Sequence, residues 1–166
     1  MRLQSVFVEK NIKFHIFYAI ILGTGRKPTI RFLSQNLTLF FGLFTSYHYQ
    51  GSLPKPVLFP LITASGKTLT RGFPIDPKPG ERVDHPHHMG HWFNYGDVNG
   101  LDFWNNSDAI PEEKLEDYGK IVHSEIVKID QENASLTTKS SWQSIAGKAM
   151  LDENTVFKFS QKGNKR

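Results

Sequence analysis

The sequence predicts an all-β domain, and three observations carry that expectation. Eight of the nine prolines fall within residues 51–111, which leaves no room for a long helix and favours short strands joined by rigid loops. Residues 118–160 alternate apolar and polar side chains at the two-residue period of strands. Aromatic residues make up 13% of the chain, thirteen of them Phe, a composition suited to pleated, half-buried surfaces or to an aromatic-lined site. With 166 residues, the chain suffices for one domain with a real core.

Residues 1–42 mix basic and apolar residues without a clear period and read as an atypical N-terminal segment, with Phe/Leu-rich runs at Phe14–Leu22 and Leu37–Phe44. Arg2, Lys10 and Lys13 ahead of the first run imitate a signal peptide only loosely. His15 interrupts the run, no small-residue cleavage site follows, and the run is too short to span a bilayer. Farther on, His91–Tyr95 and Leu101–Asn105 flank Gly96–Gly100, the pattern of a β-hairpin with a five-residue loop. Symmetric pairing sets Trp92 opposite Trp104 and Asn94 opposite Asp102. Pro111–Tyr118 is the one plausible short helix, with Ser107 or Asp108 as its cap and Pro111 in its first turn. Ile121, Val127 and Ile129 share one strand face, Gln131–Ser135 forms a turn, and Leu136–Trp142 and Thr155–Phe159 are further strands. Residues 161–166 form a basic tail.

Composition excludes several kinds of function. Without cysteine there is no disulfide, thiolate metal site or cysteine nucleophile. The net charge of +4 comes from the tail and from scattered residues such as Arg26 and Lys27, not from a basic stripe interleaved with aromatics, so nucleic acid is not an expected partner. No phosphate-binding glycine loop or nucleophile elbow occurs.

Chemistry is concentrated at Asp84–Trp104, where four of the seven histidines, His85, His87, His88 and His91, lie within seven residues. Imidazole suits both proton transfer near neutral pH and metal ligation. If Pro86 holds this stretch extended, His85 and His87 point to one side and His88 to the other. His85 and His87 then offer a metal-ligand pair, with Asp84, Asp97 or Asp102 as a third ligand to a divalent ion. The competing reading makes His87 or His88 an acid/base beside Asp84. Trp92, Trp104, Asn94 and Asp102 form the face expected to hold a substrate, with Arg82 nearby; the plainer alternative has the indoles packed under a loop and Asp102 capping a turn. Arg71 and Arg82 flank the proline-rich loop and either clamp a ligand or tie the loop to backbone carbonyls. Glu81 reads as a base or a solvated loop charge, and His48 and His123 as strand residues.

Five blocks in order, Leu43–Tyr47, Lys55–Pro60, Thr70–Pro74, Pro79–His88 and Gly96–Asn105, resemble the bacterial family labelled "methane oxygenase PmoA" over about residues 43–160. The resemblance implies a secreted or periplasmic β-sandwich with the motif histidines at its site and an association with polysaccharide degradation. Because that family continues past Phe159, it also implies a sandwich lacking its later C-terminal strands, hence exposed strand edges and self-association. On these grounds the leading expectation is a carbohydrate-active enzyme or its remnant acting on a sugar or other small molecule. A copper- or iron-dependent oxygenase, as the label suggests, and a sugar-binding module without chemistry are the alternatives.

Overall fold

The computed structural model describes residues 4–13, 17–21, 30–34, 43–63, 66–130, 133 and 135–160. The fold is all-β. One sheet has the order β1-β10-β9-β8, from strands Gln4–Lys13, Ala149–Ser160, Ser135–Ser144 and Gly119–Asp130. The second has the order β2-β3-β4-β5, from Phe17–Ile21, Ile30–Ser34, Leu43–His48 and Val57–Phe59. A hairpin of β6 (Asp97–Val98) and β7 (Leu101–Asp102) stands apart. Among the described residues, the strand ladders are antiparallel except that of β1 with β10, and an isolated parallel bridge joins Asp102 to Tyr118.

The first two sheets face each other. Tyr47 and Leu58 of the second sheet share one buried cluster with Leu136, Phe157 and Phe159 of the first, and the Tyr47 and Phe157 rings lie 5.8 Å apart. This is the arrangement of a β-sandwich, whose inner faces interdigitate to make the core. β5 is buried on both sides. Leu58 points into the sandwich, whereas Val57 and Phe59 join Met89, Leu53, Ile75 and Trp92 in a second cluster outside it. The strand reads as a continuous apolar run because the long loops between β5 and β8 cover its outer face. A third cluster, Phe103, Ile121 and Trp142, packs the β6–β7 hairpin on the first sheet. The candidate site therefore rests on a loop layer pinned to the sandwich at two places.

Several expectations need correction. The N-terminal segment supplies strands β1, β2 and β3, so β10 is not an edge strand, being paired along Gln4–Lys13. The two Phe/Leu-rich runs lie partly outside the described residues. In β8, irregularities at His123/Glu125 and Ile126/Lys128 break the alternation, leaving Ile121 buried and Val127 exposed. The turn after β8 lies partly outside the described residues, although Asn133 caps it by donating to both oxygens of Asp130. The expected short helix is a single 3-10 segment, Glu112–Asp117; its N-cap is Pro111 and no side chain caps it, so neither Ser107 nor Asp108 plays that part.

Candidate functional site

The loop carrying the histidines is folded by charge. Glu81 accepts the backbone N–H groups of Gly72 (2.7 Å), Phe73 (3.1 Å) and Lys78 (3.1 Å). The Gly72 bond is the chief reason its carboxyl is held below the usual range. Glu81 is thus a loop tie rather than a free base. Arg71 works from the other side: its guanidinium donates to the Asp84 carboxylate at 2.9 Å and to the carbonyls of Arg82, Asp84 and His85 at 3.3, 2.6 and 2.7 Å. Asp84 also pairs with Arg82 Nη2 at 2.6 Å and faces His85 Nδ1 at 3.3 Å. Desolvation pushes the Asp84 carboxyl up, but Arg71, Arg82 and His85 together hold it below its ordinary value. At neutral pH it is an ionised structural partner.

The histidine segment is not extended as expected. His85 has left-handed backbone (φ 48°), and a turn through Pro86 and His87 closes when the His88 N–H donates to the His85 carbonyl at 2.9 Å. Such backbone costs a non-glycine residue roughly 1 kcal/mol. Here Arg71 holds the His85 carbonyl from outside. The turn gathers all three rings on one side: His85 and His87 lie 5.7 Å apart, His85 and His88 5.2 Å, and His87 and His88 4.3 Å.

Chain direction then reverses onto β5. The Leu58 N–H donates to the His91 carbonyl at 2.8 Å and the His91 N–H to the Leu58 carbonyl at 2.9 Å. Gly90 permits this approach: its φ is +59°, and a Cβ there would meet the Leu58 carbonyl oxygen at 2.6 Å. With Met89 buried below, Trp92 comes up beside His88, ring centres 5.9 Å apart. Trp104 arrives from the other arm of the hairpin, 5.7 Å from Trp92 and 6.2 Å from His88.

The hairpin is tighter than predicted. Asp97 pairs with Asp102 and Val98 with Leu101 around Asn99-Gly100, both with positive φ, the two-residue turn that matches strand twist. The symmetric register is therefore wrong, although the tryptophans still meet. Asn94 and Asp102 are each engaged within the hairpin and its flanks. The Asn94 amide donates to the Phe103 carbonyl at 2.7 Å and its oxygen accepts the Tyr95 N–H at 2.8 Å. Asp102 accepts the Asn105 backbone and side-chain N–H groups at 3.0 and 2.7 Å, which is the turn-capping alternative.

Sequence reasoning missed Lys55. Its side chain is buried (1% exposed), donates to the Trp104 carbonyl at 2.9 Å and lies 5.1 Å from the centre of the Trp92 ring. Burial pushes its pKa down to about 8, against an opposing pull from Asp102. The available signal was its setting between Pro54 and Pro56 at the entry to an apolar strand, where a lysine has little room to reach solvent. Desolvation, the neighbouring imidazoles and Lys55 also lower the pKa of His87; desolvation, His85, Arg71 and Lys55 lower that of His88. Both imidazoles are largely neutral at pH 7. The Trp92 Nε1–H is buried without an acceptor.

Among the described residues, no three His, Asp or Glu side chains are placed to hold a metal ion. The expected set of His85, His87 and a carboxylate does not fit one. Asp84 is engaged by two arginines, Asp102 by Asn105, and Asp97 Oδ1 accepts the Gly100 N–H at 2.9 Å. His48 and His123 are strand residues distant in role from this layer: His48 Nε2 bonds the Phe59 carbonyl at 2.9 Å, and His123 Nδ1 lies 3.2 Å from the Tyr47 hydroxyl.

A family described as "Family of unknown function (DUF6807)" matches residues 42–166. The chain belongs to this family. That finding corrects the expected membership of the "methane oxygenase PmoA" family, which is not the family matched. No curated protein and no solved structure matches the chain. Among the described residues no helix is long and apolar enough to cross a membrane.

Proposed function

We propose that this member of the family binds a carbohydrate on its loop layer and transfers protons on it through His87 and His88. The observation that carries the reading is the open aromatic cluster: Trp104, 39% exposed, stands against Trp92 and His88 while Lys55 fixes its backbone from below. An indole held at the surface in this way presents an apolar face to a sugar ring, with hydrogen-bonding groups at its rim. Neutral imidazoles beside it supply groups that exchange protons near neutral pH.

A second reading, a sugar-binding module that does no chemistry, is favoured by one observation. Asp84 and Asp102 are both engaged in structure, so neither is free to act as a catalytic acid or nucleophile.

Titration of an oligosaccharide panel followed by tryptophan fluorescence and by product analysis tests both. The enzyme reading expects binding that Trp104→Ala abolishes, with turnover lost in His87→Gln or His88→Gln while binding persists. Binding without product in any variant selects the module. If no sugar binds better to the native protein than to Trp104→Ala, the carbohydrate reading is wrong.

A further inference from the structure

We propose that the sugar accepted here is an anionic one, carrying a carboxylate or a sulfate ester at the edge formed by Arg82, His85 and His88 while its apolar face covers Trp104. This rests on the carbohydrate reading above and adds the charge class of the ligand.

The groups form a continuous row. Arg82 touches Asp84, Asp84 faces His85, the His85 and His88 rings stack 5.2 Å apart with planes 12° from parallel, and His88 reaches Trp104. Arg82 marks the open end. Its side chain is 85% exposed, and the ion pair with Asp84 uses Nη2. The rest of a planar guanidinium fork is then presented to solvent, in the geometry that grips a carboxylate or a sulfate.

The carboxylates of the layer, Glu81, Asp84, Asp97 and Asp102, are each engaged by internal donors, whereas the fork of Arg82 is only partly used. Burial is the first cause that resists protonation of His87 and His88; beyond it, Lys55 and His85 oppose protonation of both and Arg71 opposes it at His88, while Asp102 favours it at His87 and Asp84 at His88. The cations in that set attract an anion bound at the rim. Because Lys55 is buried, its share of that attraction is weakly screened by salt. An anion bound there would in turn favour the imidazolium forms and gain charge-assisted hydrogen bonds from them, so binding should take up protons.

A matched set of ligands tests this by calorimetry in about 0.15 M salt, where exposed charges more than ~8 Å apart are largely screened: trigalacturonate, a sulfated galactose oligomer and neutral galactotriose. The expected result is that at least one charged ligand binds about tenfold or more tighter than galactotriose, equivalent to ~1.4 kcal/mol. Its affinity rises as pH falls from neutrality toward the range in which histidine protonates. Arg82→Gln removes most of the difference between charged and neutral ligands, and Arg82→Lys, which keeps the charge but not the fork, removes part of it. Equal affinity for neutral and charged sugars, lost in Trp104→Ala, overturns the inference and leaves the carbohydrate reading standing. Charged ligands that bind Trp104→Ala undiminished overturn it as general attraction to a basic protein. Absence of binding by all three ligands overturns the anionic assignment, and the wider panel above then decides whether the carbohydrate reading falls with it.

Discussion

Replacing Lys55 with methionine should change how stability depends on pH far more than it changes stability at pH 7. The native ammonium is buried, and its pKa falls from an ordinary 10.5 to about 8. Between those values the unfolded chain binds more protons than the folded one, so stability must rise with pH across that window. Applying the linkage relation to this shift gives a gain of about 2 kcal/mol between pH 7 and pH 9.5, approaching about 3 kcal/mol above pH 10.5. Tyr47 and Tyr49 have raised pKa values, so they act in the opposite sense, but only as the unfolded tyrosines ionise near pH 10. The window from pH 8 to 9.5 therefore belongs largely to Lys55. At pH 7, Lys55→Met removes a buried charge but leaves the Trp104 carbonyl without its donor at a cost of about 1–3 kcal/mol, and loses the contact with Trp92, so the net change is small. Urea unfolding of both proteins at half-unit pH steps is the assay. If the native protein gains no stability relative to Lys55→Met between pH 8 and 9.5, the buried-ammonium account is wrong.

Three further outcomes follow from the same geometry. Gly90→Ala should destabilise the protein by about 2–4 kcal/mol, because left-handed backbone is added to a 2.6 Å clash with the Leu58 carbonyl; a lowered thermal midpoint checks it, and an unchanged one contradicts the packing described. Arg71→Met leaves three carbonyls and the Asp84 carboxylate without a shared donor, so amide exchange and proteolysis at residues 82–88 should increase selectively while β8–β10 stay protected. The His87 and His88 ring protons, followed by NMR, should titrate below pH 6.5. Since their folded pKa values are lowered, they contribute stability that is present above 6.5 and is lost as pH falls through the folded values; midpoints at or above 6.5 would contradict this.

How much of this was legible in the sequence depended on the range of the interactions involved. Strands β8 to β10 were readable because their alternation reflects a buried face, and the errors came where bulges shift the register, as at Val127. The concentration of chemistry at Asp84–Trp104 was visible in composition alone. The shape of the histidine segment was not: an arginine thirteen residues upstream of Asp84 decides that His85 turns left-handed, and no local preference reports that. Lys55 was hidden for the same reason, since its partners lie at Trp92 and Trp104, far along the chain. The hairpin shows the opposite case, in which a local Asn-Gly turn overrode the symmetric pairing and still brought the indoles together.

The acids of the loop layer set a limit on its chemistry. Hydrolysis of a glycosidic bond by the usual route needs one protonated carboxylic acid and one free carboxylate flanking the bond, and it needs their pKa values to be pushed apart. Here Glu81 closes a loop on three backbone N–H groups, Asp84 lies between two arginines, Asp97 caps the hairpin turn and Asp102 is held by Asn105. The carboxyls of Glu81 and Asp84 are both shifted downward, toward permanent ionisation rather than toward acid catalysis. The proton-carrying groups near Trp104 are instead His87, His88 and the Lys55 ammonium, and Lys55 is enclosed. If the layer performs a reaction, its protons therefore move through imidazole, and the activity should follow histidine ionisation with pH rather than carboxyl ionisation.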